Sequence, residues 1–211
     1  MVEILQVGVG VYATNGKLVM NMGKIEFTSG AGNGYGVGVG VSGMASVELM
    51  RTEIVGDGKG GSKGVYISGG AVMLSGVNIS KVEKGVSVSK GTLKMKGNST
   101  IIFTGDYGVK VRSGGNALFY GVSITGSGDK STGVVMDGKM LMMSDVRISG
   151  VGMGVDATKG NLVMHKGSVE FKGNYGVTMS GGQALFYGVS ITGSGDKSTG
   201  MYVGSSGKAI L

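Results

Sequence analysis

The chain has no cysteine, no proline and no tryptophan, and a single histidine among 211 residues. Lack of thiols removes disulfides, thiolate nucleophiles and thiolate metal sites together, and with them redox chemistry. It says little about compartment, because exported bacterial proteins also avoid cysteine. No run of about 18 apolar residues occurs, and residues 1–7 lack a basic start and an apolar stretch, so neither a membrane span nor a signal peptide is expected within this sequence. Charged residues are sparse at 16%, yet hydrophobic residues reach 41%, a balance that favours folding over disorder. The 46 glycines follow no every-third-residue period and have no proline beside them, which excludes a collagen-like chain.

What is present is repetition. Residues 117–133 (ALFYGVSITGSGDKSTG) recur unchanged at 184–200, and self-similarity of this kind marks a repeat architecture. A looser unit opens with glycine followed by an apolar residue at Gly10, Gly38, Gly64, Gly85, Gly108, Gly133, Gly154, Gly176 and Gly200, at intervals averaging about 24 residues. Within a unit, short runs alternate with period two, as in Val86 and Val88, Leu93 and Met95, then Ile101 and Phe103. Period two is the strand signature, and helical periodicity is absent. Gly, Asn, Ser and Asp between the runs supply the turns.

Three short strands per unit, with like residues at like places, predict an all-β chain in which each unit is one coil of a single-stranded parallel β-helix solenoid. About nine coils at the usual strand separation of about 4.8 Å give a rod roughly 40 Å long. Phe27, Phe103 and Phe171 fall at one place of every third coil, and Val77 and Ile79, Val122 and Ile124, Val146 and Ile148, Val189 and Ile191 at another. Both sets are expected to point inward. No linker or change of composition interrupts the pattern, so residues 1–211 read as one continuous domain. Residues 2–4 align with 146–148 and residues 200–211 with 133–144. The chain thus begins and stops inside a coil without a polar cap, as a piece of a longer rod would.

Catalysis needs a nucleophile with its base, paired carboxylates or a metal cluster. His165 alternates with Leu162 and Met164, which places it outward, where related coils carry Asn21 and Lys96. Asp129 and Asp196 lie in identical GSGDKST loops. There Asp stands where a phosphate loop needs its second glycine, so the loops read as solvated turns. Polysaccharide lyases and pectinases share the β-helix architecture but gather acidic and basic side chains on one sheet. The 13 acidic residues here are scattered. No catalytic, cofactor-binding or metal-binding set is found, and the chain is not expected to be an enzyme.

Formal charge is +7, and Lys81, Lys84, Lys90, Lys94, Lys96, Lys110 and Arg112 crowd into little more than one coil against only Glu83 and Asp106. This cluster reads in two ways. It is either a binding patch for an acidic partner, such as sulfated glycan or an anionic surface, or a solvated face whose lysines block strand pairing. Nucleic acid is not expected, since aromatics are not interleaved with the cations. A second surface is an outward apolar ladder of Met73, Leu118, Met142 and Leu185, with Tyr120 and Tyr187 near its end. Such a ladder marks an interaction site, unless the register slips by one or a loop covers it. Tyr35, Tyr107 and Tyr175 precede coil starts and read as turn packing.

The segments GGNALFYGVSITGSGDKSTGVVM (114–136) and FTGDYGVKV (103–111) resemble the passenger repeats of Bartonella autotransporters, and the similarity covers nearly the whole chain. The resemblance implies a right-handed coil and a secreted or cell-surface passenger, exported through an outer-membrane translocator that this sequence does not contain. Pro-angiogenic members of that family imply further a virulence factor that binds and activates a vascular endothelial growth factor receptor on host cells. It carries no site residues with it. The alternatives are a passive adhesin or structural stalk and, third, a polysaccharide-cleaving enzyme.

Overall fold

The computed structural model describes residues 1–30 and 36–211. Among the described residues sixteen strands, all paired in parallel, form one continuously hydrogen-bonded sheet that wraps around a single core. Some strands bend through more than one face without breaking; Thr100–Tyr120 runs through all three. Nine coils are expected from the sequence, and the solenoid makes about eight turns.

The three faces differ in what they stack inside. On face A the inward column is Val11, Val39, Val65, Val86, Val109, Val134, Val155, Val177 and Met201. Face B carries the larger, more flexible series Met20, Leu49, Leu74, Met95, Phe119, Met143, Met164 and Phe186. Face C is a column of Ile4, Ile25, Ile54, Ile79, Ile101, Ile124, Ile148, Val169 and Ile191. β-Branched side chains suit this role, because their restricted χ1 packs well on a pleated surface. The Val and Ile positions expected inside are buried, and Val189 and Ile191 in the final coil pack partly buried against the core.

The coil-opening glycines stack along the corner between faces C and A, and in all but the last, Gly200, sterics require them. A Cβ on Gly108 would stand 2.9 Å from the Gly133 carbonyl oxygen and 2.9 Å from the Phe103 ring, besides meeting the Ile124 methyl. Any side chain there would push successive coils apart.

The phenylalanines explain the three-coil period. At the end of face C, Val7 is followed by Phe27, Val82 by Phe103 and then Gly126, and Val151 by Phe171 and then Gly193. Each ring leans over the glycine of the next coil. A Cβ on Gly56, Gly126 or Gly193 would meet the ring tip of Phe27, Phe103 or Phe171 at 3.2, 3.0 or 2.9 Å. The valine coils compensate with an extra residue in the left-handed region, namely Gln6, Lys81 and Gly150 at φ 57°, 51° and 67°, where the register shifts. The bend from face B to face C is left-handed as well, one residue in most coils and two in succession at Gly97–Asn98 and Lys166–Gly167. Glycine holds it at Gly76, Gly121 and Gly188, but so do Met22, Arg51, Asp145 and Lys166.

Candidate binding groove

In the coils around the groove, the residue just before the coil-opening glycine points outward from face A. Register therefore sets Lys63 beside Lys84, then Tyr107, then Thr132. Three residues further along each strand a second outward column runs Tyr66, Ser87, Lys110, Val135, Asp156. Arg112 lies two residues beyond Lys110, at the edge of the face. Together these columns line a groove of about 600 Å³ that also meets Ser89 and Asp106.

Like charges on adjacent strands repel, and the groove holds its lysines by giving each a partial partner. Lys63 Nζ lies 4.9 Å from the centre of the Tyr66 ring. Lys84 and Lys110 share Tyr107, at 6.0 and 5.5 Å from its centre. Tyr107 is only 6% exposed, so its ring is a buried platform beside two ammonium groups. Lys84 also reaches Asp106 at 3.3 Å. Asp156 accepts a 2.7 Å hydrogen bond from the Thr178 hydroxyl. Ser87, 3% exposed, forms the floor. Burial, reinforced by Lys84 and Arg112, holds the Lys63 ammonium below its ordinary pKa. Four cations face two carboxylates here, and the residual field is positive.

The seven basic residues that crowd together in the sequence are divided by the fold. Lys84, Lys110 and Arg112 meet in the groove. Lys81 is the left-handed bulge residue at the end of face C. Lys90 stands at the next corner, paired with Gly114, and Lys94 and Lys96 point outward from face B, with Lys94 5.8 Å from the Tyr120 ring centre. Sequence reasoning missed Lys63 and Tyr66, which lie one coil upstream. The signal was available: Lys63, Lys84 and Tyr107 each immediately precede a coil-opening glycine.

The expectation that aromatics stay apart from the cations fails, because Tyr66, Tyr107 and Tyr120 each carry a lysine. Alternation along one strand hides what stacking between coils brings together. Tyr107 and Tyr175 are correspondingly strand residues of face A rather than turn packing, and Tyr175 packs against Tyr202 at 5.7 Å. Tyr35 lies outside the described residues.

Other marked residues fall as follows. His165 points outward and stacks on Tyr187, ring centres 5.2 Å apart and nearly parallel. In the repeated loops Ser131 and Ser198 fold back onto the Gly128 and Gly195 carbonyls, which closes each as a local turn. Asp129 and Asp196 are exposed, and Asp129 reaches Lys172 at 3.9 Å. The outward column of face B is Glu48, Met73, Lys94, Leu118, Met142, Val163, Leu185 and Ile210, so the apolar ladder is real, in register and interrupted by Lys94. Among the described residues no group of three or more His, Asp or Glu gathers closely enough to hold a metal ion, and no helix is long and apolar enough to cross a membrane.

Comparison with known proteins adds one result. The family described as "Right handed beta helix region" matches residues 63–211. No curated protein and no solved structure matches the chain.

Proposed function

The chain belongs to the right-handed β-helix family, and from that premise we propose that it is an exported, non-catalytic binding rod that engages an acidic partner at a host cell surface through the face A groove. The observation that carries this reading is the convergence of Lys63, Lys84, Lys110 and Arg112 from three neighbouring coils around a floor of Tyr107 and Ser87. Cations held this close, one of them with a lowered pKa, gain most from an arriving anion, which relieves their mutual repulsion and restores the charged form.

The resemblance to Bartonella autotransporter passengers supports a specific form of the proposal. The rod is carried out through an outer-membrane translocator, contacts a vascular endothelial growth factor receptor and drives endothelial proliferation as a virulence factor. A rigid solenoid suits contact recognition, because it orders its surface before binding and loses little entropy on docking. The stalk reading is favoured by the regular columns of the core, which would serve a spacer equally well. A spacer has no use for a cation groove.

The test is binding to the immobilised receptor ectodomain over a range of salt. The wild-type chain is expected to bind saturably and more weakly as salt rises. The Lys84→Glu, Lys110→Glu pair is expected to lose binding, and the face B pair Lys94→Glu, Lys96→Glu to keep it. Equal loss in both pairs would reduce the groove to bulk charge. No binding by a correctly folded wild-type rod would leave the stalk. Incubation with acidic polysaccharides, with no new chain ends released, checks the non-catalytic part.

A further inference from the structure

We infer that the face A groove is a glycan site, taking a short segment of an acidic polysaccharide whose chain runs along the rod axis across three coils; this rests on the binding reading above and names its ligand class. Three observations separate a glycan from other polyanions.

The first is direction and spacing. Lys63 and Lys84 are neighbours in one column, and Lys110 continues the line on the next coil in the adjoining column. The cations therefore follow the rod axis, over two coil steps of about 4.8 Å each. A ligand reading them in turn must be an extended chain that carries anions at intervals.

The second is the mixture of groups. Beside the cations lie the hydroxyls of Ser87 and Ser89 and the carboxylate of Asp106, and on the two coils beyond Lys110 the Thr132 hydroxyl and then the Asp156 carboxylate. A carboxylate is acceptor only, so it welcomes a ligand hydroxyl and repels a ligand anion. A chain with acidic groups alternating with hydroxyls satisfies both kinds of lining. A polyphosphate backbone, anionic at every step, meets Asp106 beside the cations, and Asp156 where it extends beyond them, with like charge.

The third is the state of the rings. Single-stranded nucleic acid binds by stacking bases on open aromatic faces. Tyr107 is buried, and its ring is occupied by Lys84 and Lys110, while Tyr66 carries Lys63. Tyr107 thus offers no open face to a base, and Lys63 takes one face of Tyr66. Contact with a receptor's polypeptide alone would need a broad patch with a desolvated apolar centre, whereas an acidic glycan borne by a receptor suits a narrow polar groove such as this one.

The experiment is surface binding of the whole chain to defined probes: a sulfated glucosamine–uronate hexasaccharide, an unsulfated galacturonate hexamer, a neutral dextran oligomer, polyglutamate and a single-stranded oligonucleotide. The sulfated or the galacturonate probe is expected to bind, and which one does separates sulfate from carboxylate recognition; dextran is expected not to. The Lys84→Glu, Lys110→Glu pair is expected to weaken that binding by roughly tenfold or more, with Lys94→Glu, Lys96→Glu close to wild type. If circular dichroism shows the first pair misfolded, Lys84→Gln, Lys110→Gln replaces it, with the same direction of effect. Oligonucleotide or polyglutamate binding as tight as the glycan overturns the assignment, as does glycan binding unchanged by the groove variants. Binding to a receptor ectodomain stripped of its glycans, with no binding to either acidic oligosaccharide, overturns the ligand class and leaves the binding reading standing. Failure with every probe and with the receptor removes both.

Discussion

Replacing Gly126 by alanine tests the packing that sets the three-coil period. The new methyl would stand 2.8 Å from Val151, 3.0 Å from the tip of Phe103 and 3.0 Å from the Ser131 hydroxyl. Val151 and Phe103 are fully buried, so neither can swing into solvent to make room. Overpacking of this kind costs about 1–3 kcal/mol. Phe103→Leu removes the ring tip and leaves a gap, at about 1.5–2 kcal/mol, below the ~3–5 kcal/mol of deletion to alanine. The two changes compensate in space, since the alanine methyl enters the volume the ring vacates. The double variant is therefore expected to be at least ~1 kcal/mol more stable than the sum of the singles predicts. Guanidinium denaturation followed by circular dichroism, with an unchanged slope as the condition for comparing midpoints, measures this. Gly195→Ala, whose Cβ meets nothing within 4 Å, is the control and should be near neutral. Additivity within about 0.5 kcal/mol would refute the claim that ring and glycine share one volume.

Three further predictions follow from the corners and the groove. Lys81→Gly should stabilise the rod by roughly 0.5 kcal/mol, because it relieves a left-handed lysine at a place that Gly150 fills in a related coil, offset by the entropy of the unfolded glycine; a drop in denaturation midpoint would contradict it. Lys63 should titrate below 10.5 by NMR, and because the unfolded chain binds the proton more tightly there, stability should rise with pH from the lowered value up to 10.5. Addition of an anionic ligand should move that titration upward, and no movement would place the ligand elsewhere. At Asp57, burial works to raise the pKa, but hydrogen bonds from the Ser29 N–H at 2.8 Å, the Lys59 N–H at 3.1 Å and the Ser29 hydroxyl at 3.1 Å outweigh it and hold the carboxyl below its usual range. Its stabilisation is present above the unfolded pKa and lost as pH falls through the folded one, so Asp57→Asn should lower the melting temperature at neutral pH and match wild type in strong acid.

The columns of Val86 and Val109, or Ile79 and Ile101, are legible in the sequence because burial on one side of a strand forces period two and the glycine marks fix the phase of each coil. The Phe103 and Gly126 pair is not, since a glycine that makes room for a ring one coil away leaves no hydrophobic trace. Met22, Arg51 and Lys166 are equally silent, being residue types that ordinarily avoid the left-handed region. For the groove, local counting finds Lys84, Lys110 and Arg112 but adds Lys90, Lys94 and Lys96, which the next corner turns onto another side. Nearness along the chain is a poor guide in a solenoid. Nearness modulo one coil is the useful measure, and it brings in Lys63 and Tyr66.

That geometry has a consequence for how such a surface can change over generations. In the coils that build the groove, the side chain ahead of each opening glycine hangs outside a core that the following glycine and valine already specify. Lysine, tyrosine and threonine occupy this slot in turn, and the backbone carries all three alike. Duplication of a coil block thus copies a recognition surface together with the scaffold that displays it, and later point changes at the slot can alter specificity without asking the chain to refold.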